Sequence, residues 1–359
     1  MRFAFRDDQL LLQSTVRDFL RKACPPAVVR RLWTDETGHD PALWAQLAEL
    51  GVLGAVVPEA HGGLGLDERD LVLLLEETGR AALPLPVVAT AAVAVPLLGE
   101  LAETGAAGAR LAGHWLPRIA AGDAIVAVGH PEDPFVTDAP VADLLLLAHG
   151  DELHAVERTA ALRWVRHPAN DPGRRLYTVA WQPRAETAVA AGAVAQRLLE
   201  AAFERGALAC AAQLLGATEQ MLDLAVAYAG QREQFGRPIG SFQAVQHPLA
   251  DAKVQLEYAR PVVYKAAWSV AARAASRGVD VSHAKLAAGA AGDFTARRAL
   301  QVHGAIGYTW EQDLHLWMRR AWSLALDWGT APRHLARVSA FVLADGAPIG
   351  PGHSFEGAG

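Results

Sequence analysis

The chain has 359 residues, 52% of them hydrophobic and 20% charged, enough to bury a sizeable core and to build two or three domains. A formal net charge of -6 excludes the basic footprint of a nucleic-acid binder, and no apolar run is both long and uncharged enough to span a bilayer. Cys24 and Cys210 are far apart and lack metal-ligand spacing, and the segment MRFAFRDDQ has no signal-peptide apolar region, so a cytoplasmic protein with reduced thiols and no bound metal is expected.

Residues 1–121 read as a helical domain. Asp7 and Asp8 can cap a first helix whose apolar stripe is Leu10, Leu11, Val16, Phe19 and Leu20. A second helix, Pro41–Leu50, should stop at Gly51, a usual residue after a helix end. The glycine-rich loop Val57–Leu66 precedes a helix over 71–79. No strand and no Lys-Ser/Thr frames its GGLG as a phosphate loop, so its expected role is to turn the chain.

Residues 122–188 change character. Ile125–Val128, Leu144–Leu147, Leu153–Val156 and Tyr177–Ala180 are short apolar or alternating runs separated by Gly, Pro, Asp and Asn, which predicts a small antiparallel sheet domain. From Glu186 the chain reads as alanine-rich helix again, giving a helical bundle over 189–345. Pro261, inside a helix expected over 249–272, should kink it. The Gly/Pro-rich tail 346–359 reads as flexible or extended.

The most informative stretch runs from Tyr228 to Arg260. A helical run with Leu214, Leu215, Met221, Leu222 and Ala225 breaks at Gly236-Arg-Pro-Ile-Gly240. A second apolar face of Val245, Leu249, Ala252, Leu256 and Ala259 follows. Between them sit Arg232, Gln234, Phe235, Phe242 and Gln243. A guanidinium beside open backbone N–H groups suits a pyrophosphate, and aromatic edges suit a flat heterocycle. The bland alternative is a helix hairpin whose polar residues cap and solvate the turn.

The wording YA-x-x-R-x-QFG-x-PI-G-x-FQA-x-Q-x-x-LAD resembles the flavin-binding signature of the acyl-CoA dehydrogenase family. Two other blocks extend the resemblance. The loop PE-x-x-GG-x-GL lies at Pro58–Leu66, and Arg298–Glu311 resembles the family's Q-x-x-GG-x-G block, with Gln301, Gly304 and, in place of the second glycine, Ala305. The resemblance implies a mostly α fold with an N-terminal helical domain, a middle β-sheet domain and a C-terminal four-helix bundle. It also implies FAD shared at a subunit interface, contacted by Arg232, Gln234, Phe235, Ile239, Phe242, Gln243, Gln301, Gly304, Ala305, Gly329 and Thr330.

The middle domain departs from the pattern. The family's EP-x-x-GSD turn and its W-x-x-x-G-x-K strand pair are absent, and Gly129–Pro134 stands where the first should be, as if a block of the sheet were deleted. The family's reaction is an α,β-dehydrogenation of an acyl thioester, in which a carboxylate takes the α proton and FAD the β hydride. In most members that carboxylate is the Glu of a Y-E-G-T motif. Here the stretch reads Leu326-Asp327-Trp328-Gly329-Thr330, and the indole of Trp328 cannot accept a proton. The alternative base position of some members falls at Gly206. Glu204, about 200° round a helix from it, and Asp327 are the remaining carboxylates, and both read as solvent-facing charge.

Retained nucleotide contacts with missing base chemistry resemble the base-lacking subunit of the heteromeric (two plus two) acyl-CoA dehydrogenases of bacterial steroid side-chain degradation. That resemblance implies a partner subunit carrying the catalytic Glu, an acyl-CoA substrate and electron-transfer flavoprotein as acceptor. Two other readings stay open: a self-sufficient homotetramer using Glu204 or Asp327, and a flavin-free scaffold.

Overall fold

The computed structural model describes residues 4–159, 161–353 and 355. The first part of the chain is helical, with α1 (Asp7–Ala23), α2 (Pro26–Thr34), α3 (Pro41–Glu49), α4 (Glu68–Arg80), α5 (Val95–Ala102) and α6 (Ala106–Ala120). Seven short strands follow: β1 (Val126–Gly129), β2 (Val136–Thr137), β3 (Leu144–His149), β4 (Glu152–Glu157), β5 (Arg163–His167), β6 (Leu176–Ala180) and β7 (Ala188–Ala191). Then come α7 (Gly192–Gln231), the hairpin strands β8 (Glu233–Gln234) and β9 (Arg237–Pro238), α8 (Gln243–Ala271), α9 (Arg277–His303), α10 (Leu314–Leu326) and α11 (Ala331–Val342). The chain forms two compact units. One comprises Met1–Val29, Val72–Leu83 and Cys210–Gly359, the other Arg30–Leu71 and Pro84–Ala209.

Helix ends follow local chemistry. The N-cap of α1 is Arg6, whose backbone N–H donates to the Gln9 side chain at 2.8 Å, rather than the Asp7–Asp8 pair expected from sequence. Both aspartates lie in the first turn, where their charge complements the positive helix end. The carboxylate of Asp40 caps α3 by accepting from the Leu43 N–H at 3.0 Å, and Gly51, at φ +78°, ends it. Residues 54–66 form a turn closed on its own backbone, with Leu64 N–H donating to Gly54 O and Leu66 N–H to Ala55 O, each at 2.9 Å. A side chain at Gly63 would meet the Val57 carbonyl oxygen at 2.1 Å, so close chain approach explains that glycine.

In the second unit β1, β3, β4 and β7 form one sheet in that order, and β2, β6 and β5 another. The expected antiparallel sheet needs correction, because β1 and β3 are parallel, with Val126 opposite Leu144. After β1 the chain crosses to the second sheet to form β2 and returns to lay down β3 in the same direction, which a hairpin cannot do. β7 is a second correction. Ala188–Ala191 reads as helix by composition, yet it pairs with β4. Ahead of β1, the π-helical segment Val88–Ala94 carries the buried Thr90. Its hydroxyl donates to Val126 O at 3.0 Å and accepts from Val126 N at 3.2 Å.

The first unit is a helical bundle. α8 runs through Pro261 as one helix and buries Leu249, Ala252, Leu256 and Ala259 as the apolar pattern predicts. α4 and α7 cross at glycines: a Cβ on Gly79 would lie 2.0 Å from Gln213 O, and one on Gly216 1.8 Å from Glu76 O. Beside the crossing is a buried ionic network. Glu76 accepts from the Tyr264 hydroxyl at 2.8 Å and from Arg260, which also reaches Glu219 at 2.7 Å. Glu77 takes both Arg17 and Gln13 from α1. In the tail, Pro351–His353 form a 3₁₀ turn and the Phe355 ring stands 5.2 Å from Trp268, whereas 354 and 356–359 lie outside the described residues.

Candidate functional site

The break between α7 and α8 is a two-residue hairpin. Phe235 and Gly236 occupy its tip at φ +55° and +78°, both left-handed, as a type I′ turn requires. Two backbone bonds brace its base, Arg232 N–H to Tyr228 O at 2.8 Å and Ile239 N–H to Arg232 O at 2.7 Å. Phe235 is 92% exposed, its ring 6.0 Å from that of Phe242, and the Arg237 guanidinium lies 4.1 Å over the Phe242 ring. Arg232, Gln234 and Gln243 are exposed beside it, with Ile239 and Phe242 half-buried. A large aromatic held outward in a strained backbone region is poor packing and good presentation.

The second cluster, Gln301–Ala305, is tied to this hairpin through one stacked pair. The buried His303 ring lies 4.5 Å from Tyr228 at 20°, and its Nδ1 pairs with Ala299 O at 2.8 Å. Burial pushes His303 below its ordinary pKa, so the ring that joins the two segments is neutral at pH 7. Gln301 and Ala305 are exposed, and Gly304, at φ +65°, ends α9. His303 therefore acts inside the frame. His247 is exposed.

Trp328, Gly329 and Thr330 belong to a third place, the link from α10 to α11. Trp328 is half-buried with φ +51°, and Gly329 has φ +101°. The Asp327 carboxylate accepts from the Trp328 N–H at 3.1 Å. Lys285, 3% exposed on α9, donates from Nζ to Asp327 O at 2.7 Å, Gly329 O at 3.1 Å and Ala325 O at 3.2 Å. Fully buried His334 pairs through Nε2 with Trp328 O at 3.0 Å and through Nδ1 with Ser282 Oγ at 3.2 Å. Burial, with the Lys285 charge beside it, pushes His334 down to about 4. Sequence reasoning missed both residues. The available signal was a lone lysine in the alanine-rich run His283–Gly289.

Glu204 needs correction as well. It is 4% exposed, not a solvent-facing charge, because this part of α7 is covered on nearly every side and has no solvent face to offer. Its neighbour Arg205 bridges Glu68 at 2.8 Å and Glu100 at 2.7 Å within the same unit. Asp327 is half-exposed. Trp317 is core, its indole N–H donating to Arg80 O at 2.8 Å. Trp322 donates to Asp293 at 3.0 Å, and Trp310 is mostly exposed. No group of three His, Cys, Asp or Glu side chains among the described residues could hold a metal, and no described helix is long and apolar enough to cross a membrane.

Comparison with known proteins finds two matching family models, the acyl-CoA dehydrogenase N-terminal domain over residues 6–123 and the acyl-CoA dehydrogenase C-terminal domain over 184–343. The chain is 34% identical over 342 residues to acyl-CoA dehydrogenase IpdE2 of Mycolicibacterium smegmatis, covering 94% of this chain and 99% of that protein. Among solved structures it resembles a chain of the ChsE4–ChsE5 complex of Mycobacterium tuberculosis, with TM-score 0.82, 26% identity and coverage of 97% and 100%. A variant of the Tcur3481–Tcur3483 steroid ACAD matches with TM-score 0.81, 28% identity and coverage of 96% and 99%.

Proposed function

Because this chain belongs to the acyl-CoA dehydrogenase family, FAD-dependent oxidoreductases that act on the CH–CH bond of an acyl thioester, we propose that it is the non-catalytic subunit of a heteromeric member. In this reading it completes the FAD site of a base-bearing partner, and the acyl group is a bulky one of the steroid side-chain class. One observation carries the proposal. Arg232, Gln234, Phe235, Gln243 and Gln301 stand exposed at one end of the bundle, while the position of the usual base holds Trp328. The likeness to two-component assemblies, one described as a steroid ACAD, supports it.

These residues fit the nucleotide half of FAD. The Arg232 fork suits a pyrophosphate, Phe235 offers a face to a flat ring, and Gly236 and Gly304 leave open space where a Cβ would stand. When bound, FAD supplies the hydride acceptor. The chain's own residues hold the charged half, exclude water with Phe235 and Phe242, and leave proton abstraction to the partner's carboxylate. We assign the division of labour to an N-terminal helical domain (1–121), a reduced sheet domain (122–188), a bundle (189–345) and a tail (346–359). Gly329 and Thr330 complete the proposed contacts, with Ile239 and Ala305 as apolar walls. Electron-transfer flavoprotein is the proposed acceptor.

Glu204 favours a second reading, a self-sufficient dehydrogenase, since it is a carboxylate withdrawn from solvent, as a proton-abstracting base in a dry pocket would be. Flavin content and subunit mass, measured for the chain alone and co-expressed with a base-bearing dehydrogenase chain, separate the readings. The proposal expects little flavin alone and about one flavin for every two chains in a mixed tetramer. A full flavin complement in a homo-oligomer selects the second reading, with Glu204→Gln then abolishing activity. No flavin under either condition leaves a scaffold.

A further inference from the structure

Trp328 is one of five described non-glycine residues with positive φ, and its backbone is held from two sides. A bulky residue in the left-handed region is strained and persists only where its surroundings over-determine it. Here they do. The three protons of the buried Lys285 ammonium converge on the carbonyls of residues 325, 327 and 329, bracketing Trp328 on both sides, and His334 pairs with the carbonyl of Trp328 itself. The Asp327 side chain holds the Trp328 N–H. Both backbone polar groups of residue 328 and the carbonyls on either side of it are thus engaged.

We propose that Lys285 and His334 are positioning residues that fix the backbone at 328, so that whatever side chain stands there is presented in one orientation. In this chain they hold an indole as a rigid wall where the family's carboxylate would act. This inference rests on the proposed reading only for the meaning of that wall, since the clamp itself is built from this chain alone.

The test uses the full chain labelled with 5-fluorotryptophan, with the 328 resonance assigned by its disappearance in Trp328→Phe. ¹⁹F spectra are compared for wild type, Lys285→Met, Lys285→Arg and His334→Asn. A clamp predicts that Lys285→Met and His334→Asn each displace or broaden the 328 resonance while the other tryptophan lines stay in place. Lys285→Arg, keeping charge and donors, should recover part of the wild-type position. Should Lys285→Met fail to fold, His334→Asn carries the comparison. An unmoved 328 resonance in a folded clamp variant overturns the proposal. Failure of the heteromeric reading would appear instead as flavin stoichiometry, which this measurement does not touch.

Discussion

His334 is buried without a solvent contact, and its pKa of about 4 gives the protein a defined response to acid. The folded state keeps the ring neutral, while the unfolded chain takes up its proton as pH falls through the ordinary value of 6.5. Stability is therefore intact above that pH, declines between 6.5 and 4, and levels off below. The loss from this group is about 3 kcal/mol at most. Urea unfolding at stepped pH should show a shallower decline for His334→Asn. A residual slope is expected from His39 and His303, both also pushed down by burial. A second residue prediction concerns Gly38. The fully buried Arg175 guanidinium packs on it, donating from Nη2 to Leu32 O and Asp35 O, and an added Cβ would sit 1.5 Å from its central carbon. Gly38 is also left-handed, at φ +63°. Gly38→Ala should cost about 1–3 kcal/mol in equilibrium unfolding, because it adds left-handed strain and pushes the buried guanidinium off its two carbonyls. At this scale the sequence was uneven. Trp328 stood out only against the family's motif, whereas Lys285 and His334 bind backbone carbonyls, and carbonyls leave no trace in residue identity.

Elements were legible where a single period ruled. The apolar face of α8 and the stop of α3 at Gly51 were written in local pattern. The strand β7 and the parallel pairing of β1 with β3 were not, because both depend on partners distant in the chain. The crossing of α4 and α7 belongs to the same hidden class, since two glycines in ordinary helices gave no sign that their backbones touch. Gly216→Ala should force the two helices apart and cost about 2–4 kcal/mol, because the obstructing atom is the Glu76 carbonyl oxygen and not a movable side chain. Gly99→Ala and Gly113→Ala, in α5 and α6 with nothing within 4 Å, serve as controls and should be neutral or stabilising by up to about 1 kcal/mol. Thermal melts that fail to separate these variants would refute the close-contact account.

For the whole molecule the family was legible from the hairpin between α7 and α8, and the matches over 6–123 and 184–343 bear that out. The geometry of the hairpin was not, since only the structure shows Phe235 standing clear of its own fold. An aromatic so exposed contributes almost nothing to the stability of the chain that carries it. Phe235→Asp, a residue tolerated at positive φ, should leave the melting temperature of the isolated chain within about a degree. Flavin recovered with a co-expressed partner should fall by about tenfold or more. Equal flavin recovery by variant and wild type would remove Phe235 from the proposed site.

The chain contains four lysines, Lys22, Lys253, Lys265 and Lys285, against a much larger number of arginines. Thioesters acylate free amines, so a protein that works beside acyl-CoA exposes each lysine to slow, unassisted modification. Attack requires a deprotonated nitrogen with its lone pair open. Lys285 has all three protons committed to carbonyl oxygens and is buried away from solvent. Lys22 and Lys253, both exposed, are where such adducts should collect. The amine that the turn depends on is the one the reagent cannot reach.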